Sequence, residues 1–151
     1  MEPSFIAIPA FRIIGMHLRA TPMTPEIPAL WDTFQPYLDT IPTIRPNVSY
    51  GVQQNMDPVA VKFDYWCGLE VDAATQIPAG LVEKIIPAQE YAVFPCTLSS
   101  IGETFGYIFD TWLKASGYIM TSGPYYERYG VDFDGTPEAP LDIYIPITLR
   151  S

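Results

Sequence analysis

The chain has 151 residues, 48% of them hydrophobic and 17% charged. That length and balance suit one domain with a sizeable core and exclude a disordered tail. Acids outnumber bases by 17 to 8, for a net charge of −9; so acidic a surface repels phosphate and argues against nucleic acid as a direct partner. No apolar run approaches the ~20 residues that span a bilayer, and Met1-Glu2-Pro3-Ser4 lacks the basic flank and long apolar stretch of a secretory signal. A soluble cytoplasmic protein with no membrane partner is expected. Cys67, Cys96 and the single histidine His17 show no ligand spacing, so neither a metal site nor a cofactor is expected, and the two thiols read as buried and free.

In chain order, residues 5–20 read as an apolar first strand with an irregular start at Pro9. Over 24–38, Ile27, Leu30, Trp31, Phe34 and Leu38 recur at helical spacing and form one apolar stripe. Pro28 suits the first turn of that helix and Pro36 should end it. A short strand follows over 48–54, then a long one over 59–71. There Val59, Val61, Phe63, Tyr65, Cys67, Leu69 and Val71 alternate with a more polar row that includes Asp64, Trp66 and Glu70. Two strand pieces over 81–86 and 90–96 are broken by Pro87. Ser100 and Glu103 have capping-box spacing for a second helix. Ile101, Phe105, Ile108 and Trp112 continue it and Gly117 should stop it. Residues 124–131 and 141–149 read as the last strands, the final one with Leu141, Ile143, Ile145, Ile147 and Leu149 on one face and Asp142, Tyr144, Pro146 and Thr148 on the other. The 16 prolines are scattered among apolar segments, as at strand ends and turns, and mark no linker.

Strand, helix, strand, strand thus occurs twice. Tyr50-Gly51-Val52 returns 79 residues later as Tyr129-Gly130-Val131, and Tyr65 returns as Tyr144 at the same distance. Trp31 and Trp112 mark the two helices. The expected fold is α+β: two pseudo-symmetric β-α-β-β units, about 1–75 and 76–151, form an antiparallel sheet with two main helices in one domain. A ligand groove is expected between the halves, where pockets favour such junctions.

Several segments, in order, carry a family likeness. They are Ile27-Pro28-Ala29-Leu30-Trp31, Tyr50-Gly51-Val52, Phe63-Asp64-Tyr65, Gly68-Leu69-Glu70-Val71, Ile77-Pro78-Ala79-Gly80, Ile86-Pro87-Ala88, Tyr91-Ala92-Val93-Phe94, Trp112, Tyr126-Glu127-Arg128-Tyr129 and Ile143-Tyr144-Ile145-Pro146-Ile147. On these the chain resembles the GyrI-like, AraC-type effector-binding domain, also found as the drug-sensing half of some MerR-type regulators. It departs at Pro95-Cys96-Thr97-Leu98, where the family usually has a His or polar residue and a Gly. The resemblance implies an effector-binding module, standing alone here without a DNA-binding domain.

Glu127 shares a strand row with Tyr125 and Tyr129, and a carboxylate among rings is poorly solvated, so its pKa should rise. The resemblance places it at the floor of the ligand pocket, where it would attract cationic aromatic ligands. The plainer reading is a carboxylate that bonds a tyrosine or pairs with an arginine. Tyr50, Trp66, Phe94, Tyr129 and Tyr144 are candidates for the pocket wall, with Tyr50 and Tyr129 on its two sides. Trp66 is preferred over Tyr65, which lies in the apolar row. Trp112 is a candidate for pocket or core. Asp64, Glu70 and Asp142 are expected to be solvated.

Three functions fit these residues. The first is a binding module for a hydrophobic, cationic or planar aromatic compound, as a sensor or a sequestering protein. The second is implied by the resemblance: a hydrolase opening cyclopropane-containing alkylating drugs, with Glu127 as general acid or base. The third is a protein-interaction role such as gyrase inhibition. Edge strands at the ends of the sheet leave a protein partner or a homodimer open.

Overall fold

The computed structural model describes residues 2–22 and 24–151. Pro9 splits the first expected strand into β1 (Ser4–Ile8) and β2 (Phe11–Ala20). Helix α1 (Glu26–Phe34) starts where the Thr24 hydroxyl accepts the Glu26 amide at 3.4 Å. It tightens into a 3-10 turn over Gln35–Tyr37 at Pro36. Strands β3 (Ser49–Asp57) and β4 (Lys62–Val71) follow. β4 begins three residues later than its alternation suggests. The Asp57 carboxylate accepts the Val59 and Ala60 amides, and Val61 takes φ 52°, so Val59 and Val61 sit in an exposed turn.

The second half repeats the plan with β5 (Val82–Ile86) and β6 (Gln89–Thr97). The capping box forms one turn earlier than expected, between Thr97 and Ser100, and heads a 3-10 turn over Leu98–Ser100. Helix α2 (Ile101–Tyr107) then widens into a π turn over Ile108–Trp112 before α3 (Leu113–Ser116). Gly117, at φ 81°, ends the run in the left-handed conformation glycine adopts without strain. A short strand not expected from the sequence, β7 (Tyr118–Met120), pairs with β9 (Pro140–Leu149), and β8 is Tyr125–Tyr129.

The sheet is antiparallel, in the order β1-β6-β9-β8-β3-β4-β2-β5. It reads alike from both ends: each half supplies four of these eight strands, and β3 and β8 meet at the centre. β1 pairs with β6 and β5 with β2, so the leading arm of each half completes the other half's sheet. The architecture is the expected α+β one, with two main helices on a large antiparallel sheet.

Both helices lie on one face. Ile27, Leu30, Trp31 and Leu38 pack with buried Phe34 on Phe63, Tyr65, Cys67 and Leu69 of β4. Ile101, Phe105, Ile108 and Trp112 pack on Phe94, Ile143 and Ile145. On the opposite face, Ile13, Tyr50, Val52, Tyr91, Val93 and Tyr126 form a separate cluster with Phe11, Trp66 and Tyr144 at its edge. Burying each large apolar side chain contributes about 1.5–3 kcal/mol.

The repeated tyrosines do not mark equivalent places. An odd offset inverts the face in a structure of period two. Tyr65 packs under α1 while Tyr144 lies on the far side, and Tyr126, not Tyr129, shares the face of Tyr50.

Candidate functional site

Glu127 lies on the helix-bearing face, on the central strand β8. Its backbone is paired with Gly51 of β3 on one side and Ile143 of β9 on the other. It is buried, with 7% exposure. Each carboxylate oxygen is held: the Gln53 amide donates to one at 2.6 Å and the Tyr129 hydroxyl to the other at 2.6 Å. Burial raises its pKa above the ordinary carboxylate value, and the bonds from Tyr129 and Gln53 offset that in part. No basic side chain pairs with it among the described residues.

Aromatic rings surround this carboxylate because the strands alternate. Tyr125 and Tyr129 share its row. Trp31 reaches across from α1, donates from its indole nitrogen to the Tyr65 hydroxyl at 2.8 Å and meets Tyr129 edge to face at 5.6 Å. Phe133 packs on Tyr129 at 4.7 Å. From the α2 side, Phe105 and Phe109 make T-shaped contacts with Tyr125 at 6.0 and 6.2 Å. Gly51 leaves room at the centre: a methyl group there would meet the Tyr65 hydroxyl and lie 3.3 Å from a Glu127 oxygen.

Of the other six candidate residues, the fold places only Tyr129 in contact with Glu127. Phe94 and Trp112 pack edge to face at 5.1 Å in the core beneath α2. Tyr50, Trp66 and Tyr144 lie on the face away from the helices. It is Tyr65, not Trp66, that stands beside Glu127. Trp66 instead packs on His17 at 5.0 Å with Lys84 Nζ 4.2 Å above its ring. The apolar row of β4 under the helix faces the same side of the sheet as the carboxylate. Gln53 from β3 and Trp31 from α1 join Tyr65 there, neighbours that no spacing along the sequence announces.

Other polar residues also fall into place. His17 bonds Asp64 at 2.9 Å and Cys96 is only half-buried. Glu70 is not solvated: 7% exposed, it pairs with Arg45 at 2.8 Å and accepts the Tyr50 hydroxyl at 3.0 Å. Of two cavities of about 510 Å³ each, one opens on the face away from the helices and the other lies at β2 and β5 beside Val71, and neither is lined by Glu127. Among the described residues no helix is long and apolar enough to cross a membrane, and no cluster of His, Cys, Asp and Glu could hold a metal ion.

Comparisons with known proteins agree with this architecture. The chain is 34% identical over 155 aligned residues to the transcriptional regulator BrlR of Pseudomonas aeruginosa, a match that covers 97% of this chain and 56% of the regulator. It thus spans about half the length of that relative. The structure of SAV2435 bound to tetraphenylphosphonium superposes with a TM-score of 0.78 at 16% identity, covering 98% of this chain and 94% of that one. The C-terminal domain of EcmrR superposes with a TM-score of 0.71 at 15% identity, covering 98% of each. At those identities the two structures share the fold. The model of the GyrI-like small molecule binding domain matches residues 1–148, and the chain belongs to that family.

Proposed function

We propose that this domain binds a hydrophobic, cationic or planar aromatic compound in the strip between its two helices, with Glu127 as counter-ion. It would act as a sensor or as a sequestering protein. The observation that carries this reading is a buried carboxylate whose oxygens are bonded to neutral groups only, with no basic side chain paired to it among the described residues. A lone buried carboxylate is costly unless something compensates its charge. A delocalised cation supplies that charge at little desolvation cost, and the partly exposed rings of Trp31, Tyr129 and Phe133 are available to stack on it. Kinship with a transcriptional regulator supports the sensor role, in which the bound state is reported to a partner domain or protein.

Tetraphenylphosphonium and a planar cationic dye are the probes. Each should raise the melting temperature of the wild-type protein, since binding to the native state must. Their affinity should fall about tenfold or more in Glu127→Gln. Affinity in the wild type should rise with pH as Glu127 ionises through its raised pKa. Equal binding by both proteins, or no shift with any cation, would remove the counter-ion role. Incubation with a cyclopropane-containing alkylating compound, read by mass spectrometry, separates binding from hydrolysis: unchanged compound supports a binder, and a ring-opened water adduct that Glu127→Gln does not form supports the hydrolase.

A further inference from the structure

The residue after Glu127 points the other way. Arg128 belongs to the row of Tyr126 on the face without helices, and its guanidinium lies beside the Tyr50 hydroxyl. One of the two cavities opens there. It holds about 510 Å³ and is lined by Phe11, Tyr50, Tyr126, Tyr144, Arg45 and Arg128, among others. That is the size of an ordinary small-molecule site.

The floor is built of rings in fixed geometry. Tyr126 and Tyr144 are stacked 4.7 Å apart at 14°, and Phe11 meets Tyr126 edge-on at 5.7 Å. Tyr50 also meets Tyr126 edge-on, at 5.6 Å, and is held by its bond to Glu70. The charges are unequal. Glu70 is already matched by Arg45. Asp142 stands opposite Arg128 in the β8–β9 ladder, but no carboxylate comes within 4.0 Å of the Arg128 guanidinium among the described residues. Arg128 is a half-buried cation over an aromatic floor that feels Asp142 only at a distance and has no carboxylate in contact, the inverse of the Glu127 site.

We propose that this cavity is a second ligand site that takes a planar aromatic anion, a ring carrying a carboxylate, sulfonate or phosphate. The anionic group sits on Arg128, whose planar fork matches an oxyanion with two donors. The ring lies along Phe11 and Tyr144. The site is separate from the strip between the helices, because the sheet stands between them.

The test is isothermal titration of the full chain with 2-naphthalenesulfonate and 2-naphthoate, with naphthyltrimethylammonium as control. Both anions should bind the wild-type protein, more tightly than the cation binds at this site. Arg128→Gln should weaken them about tenfold or more, and Arg128→Lys less. Glu127→Gln should leave them unchanged, and saturating tetraphenylphosphonium should not displace them. On the wild type, amide shift mapping should place the anion at Phe11, Arg128 and Tyr144, not at Trp31 and Tyr129; this stands even where an Arg128 variant fails to fold. No binding by either anion, equal binding by Arg128→Gln, competition with tetraphenylphosphonium, or shifts confined to the helix-bearing face would each overturn the proposal.

Discussion

The two faces of β8 differ in almost everything but their aromatic content. On one side Glu127 is buried beneath the helices, bonded by Gln53 and Tyr129, and walled by Trp31 and Tyr65. On the other, one residue along, Arg128 borders an open cavity floored by Tyr126 and Tyr144, with no helix over it. Helices supply cover, and cover removes water. The acid on the covered side is therefore desolvated and its pKa raised, while the base on the uncovered side stays charged and reachable. One strand thus presents opposite charges to two separate aromatic surroundings.

The strongest way to break this contrast is to remove the cover. Phe34 of α1 is fully buried, stacked on Tyr37 and edge-on to Trp31. Phe34→Ala should cost about 3–5 kcal/mol and lower the melting temperature by roughly 10 °C, read by calorimetry. Gly51→Ala acts on the same face more narrowly, since its methyl group runs into the Tyr65 ring and crowds Glu127. A loss of about 1–3 kcal/mol is expected, with binding of tetraphenylphosphonium weakened as well; an unchanged urea midpoint would mean that Tyr65 yields freely.

Glu127 itself sharpens the contrast through pH. Its native pKa is raised, so between the unfolded value of about 4.3 and that higher value the native state holds more protons than the unfolded chain. Stability from this group is present below the unfolded pKa and is lost as pH rises through the native one. Urea titrations across that range should show a decline in the wild type that is flattened in Glu127→Gln. The variant should be the more stable protein above the window, by about 1 kcal/mol. Identical slopes would mean that Glu127 is solvated. The smallest effect is expected from Tyr129→Phe. It removes a bond that favours the ionised carboxylate, so stability should fall by about 0.5 kcal/mol and the pH decline should extend upward.

Much of this was legible in local periodicity. The stripe Ile27, Leu30, Trp31, Phe34, Leu38 all reaches the core beneath α1, and the alternating rows hold in β4 from Phe63 onward and in β9 from Leu141 to Ile147, with Leu149 exposed at the end. Glu127 was legible as a carboxylate among tyrosines, because Tyr125 and Tyr129 share its row by period two alone. Less was legible where neighbours in space are strangers in sequence. The π turn at Ile108–Trp112 keeps Trp112 on Phe94, a contact that helical spacing does not announce. The tyrosine echoes of the two halves suggested a groove shared by Tyr50 and Tyr129, and the sheet separates them.

The order of residues along each strand determined which side chains travel together: Tyr125 with Glu127 and Tyr129, Tyr126 with Arg128. It did so because successive side chains on a strand must point to opposite faces. Which of those rows went under the helices was decided only by tertiary structure. That choice depends on strand order, on the cross-half pairing of β1 with β6 and β5 with β2, and on where α1 and α2 settle. Burial follows from that choice, and burial is what gives Glu127 its raised pKa and leaves Arg128 beside an open cavity.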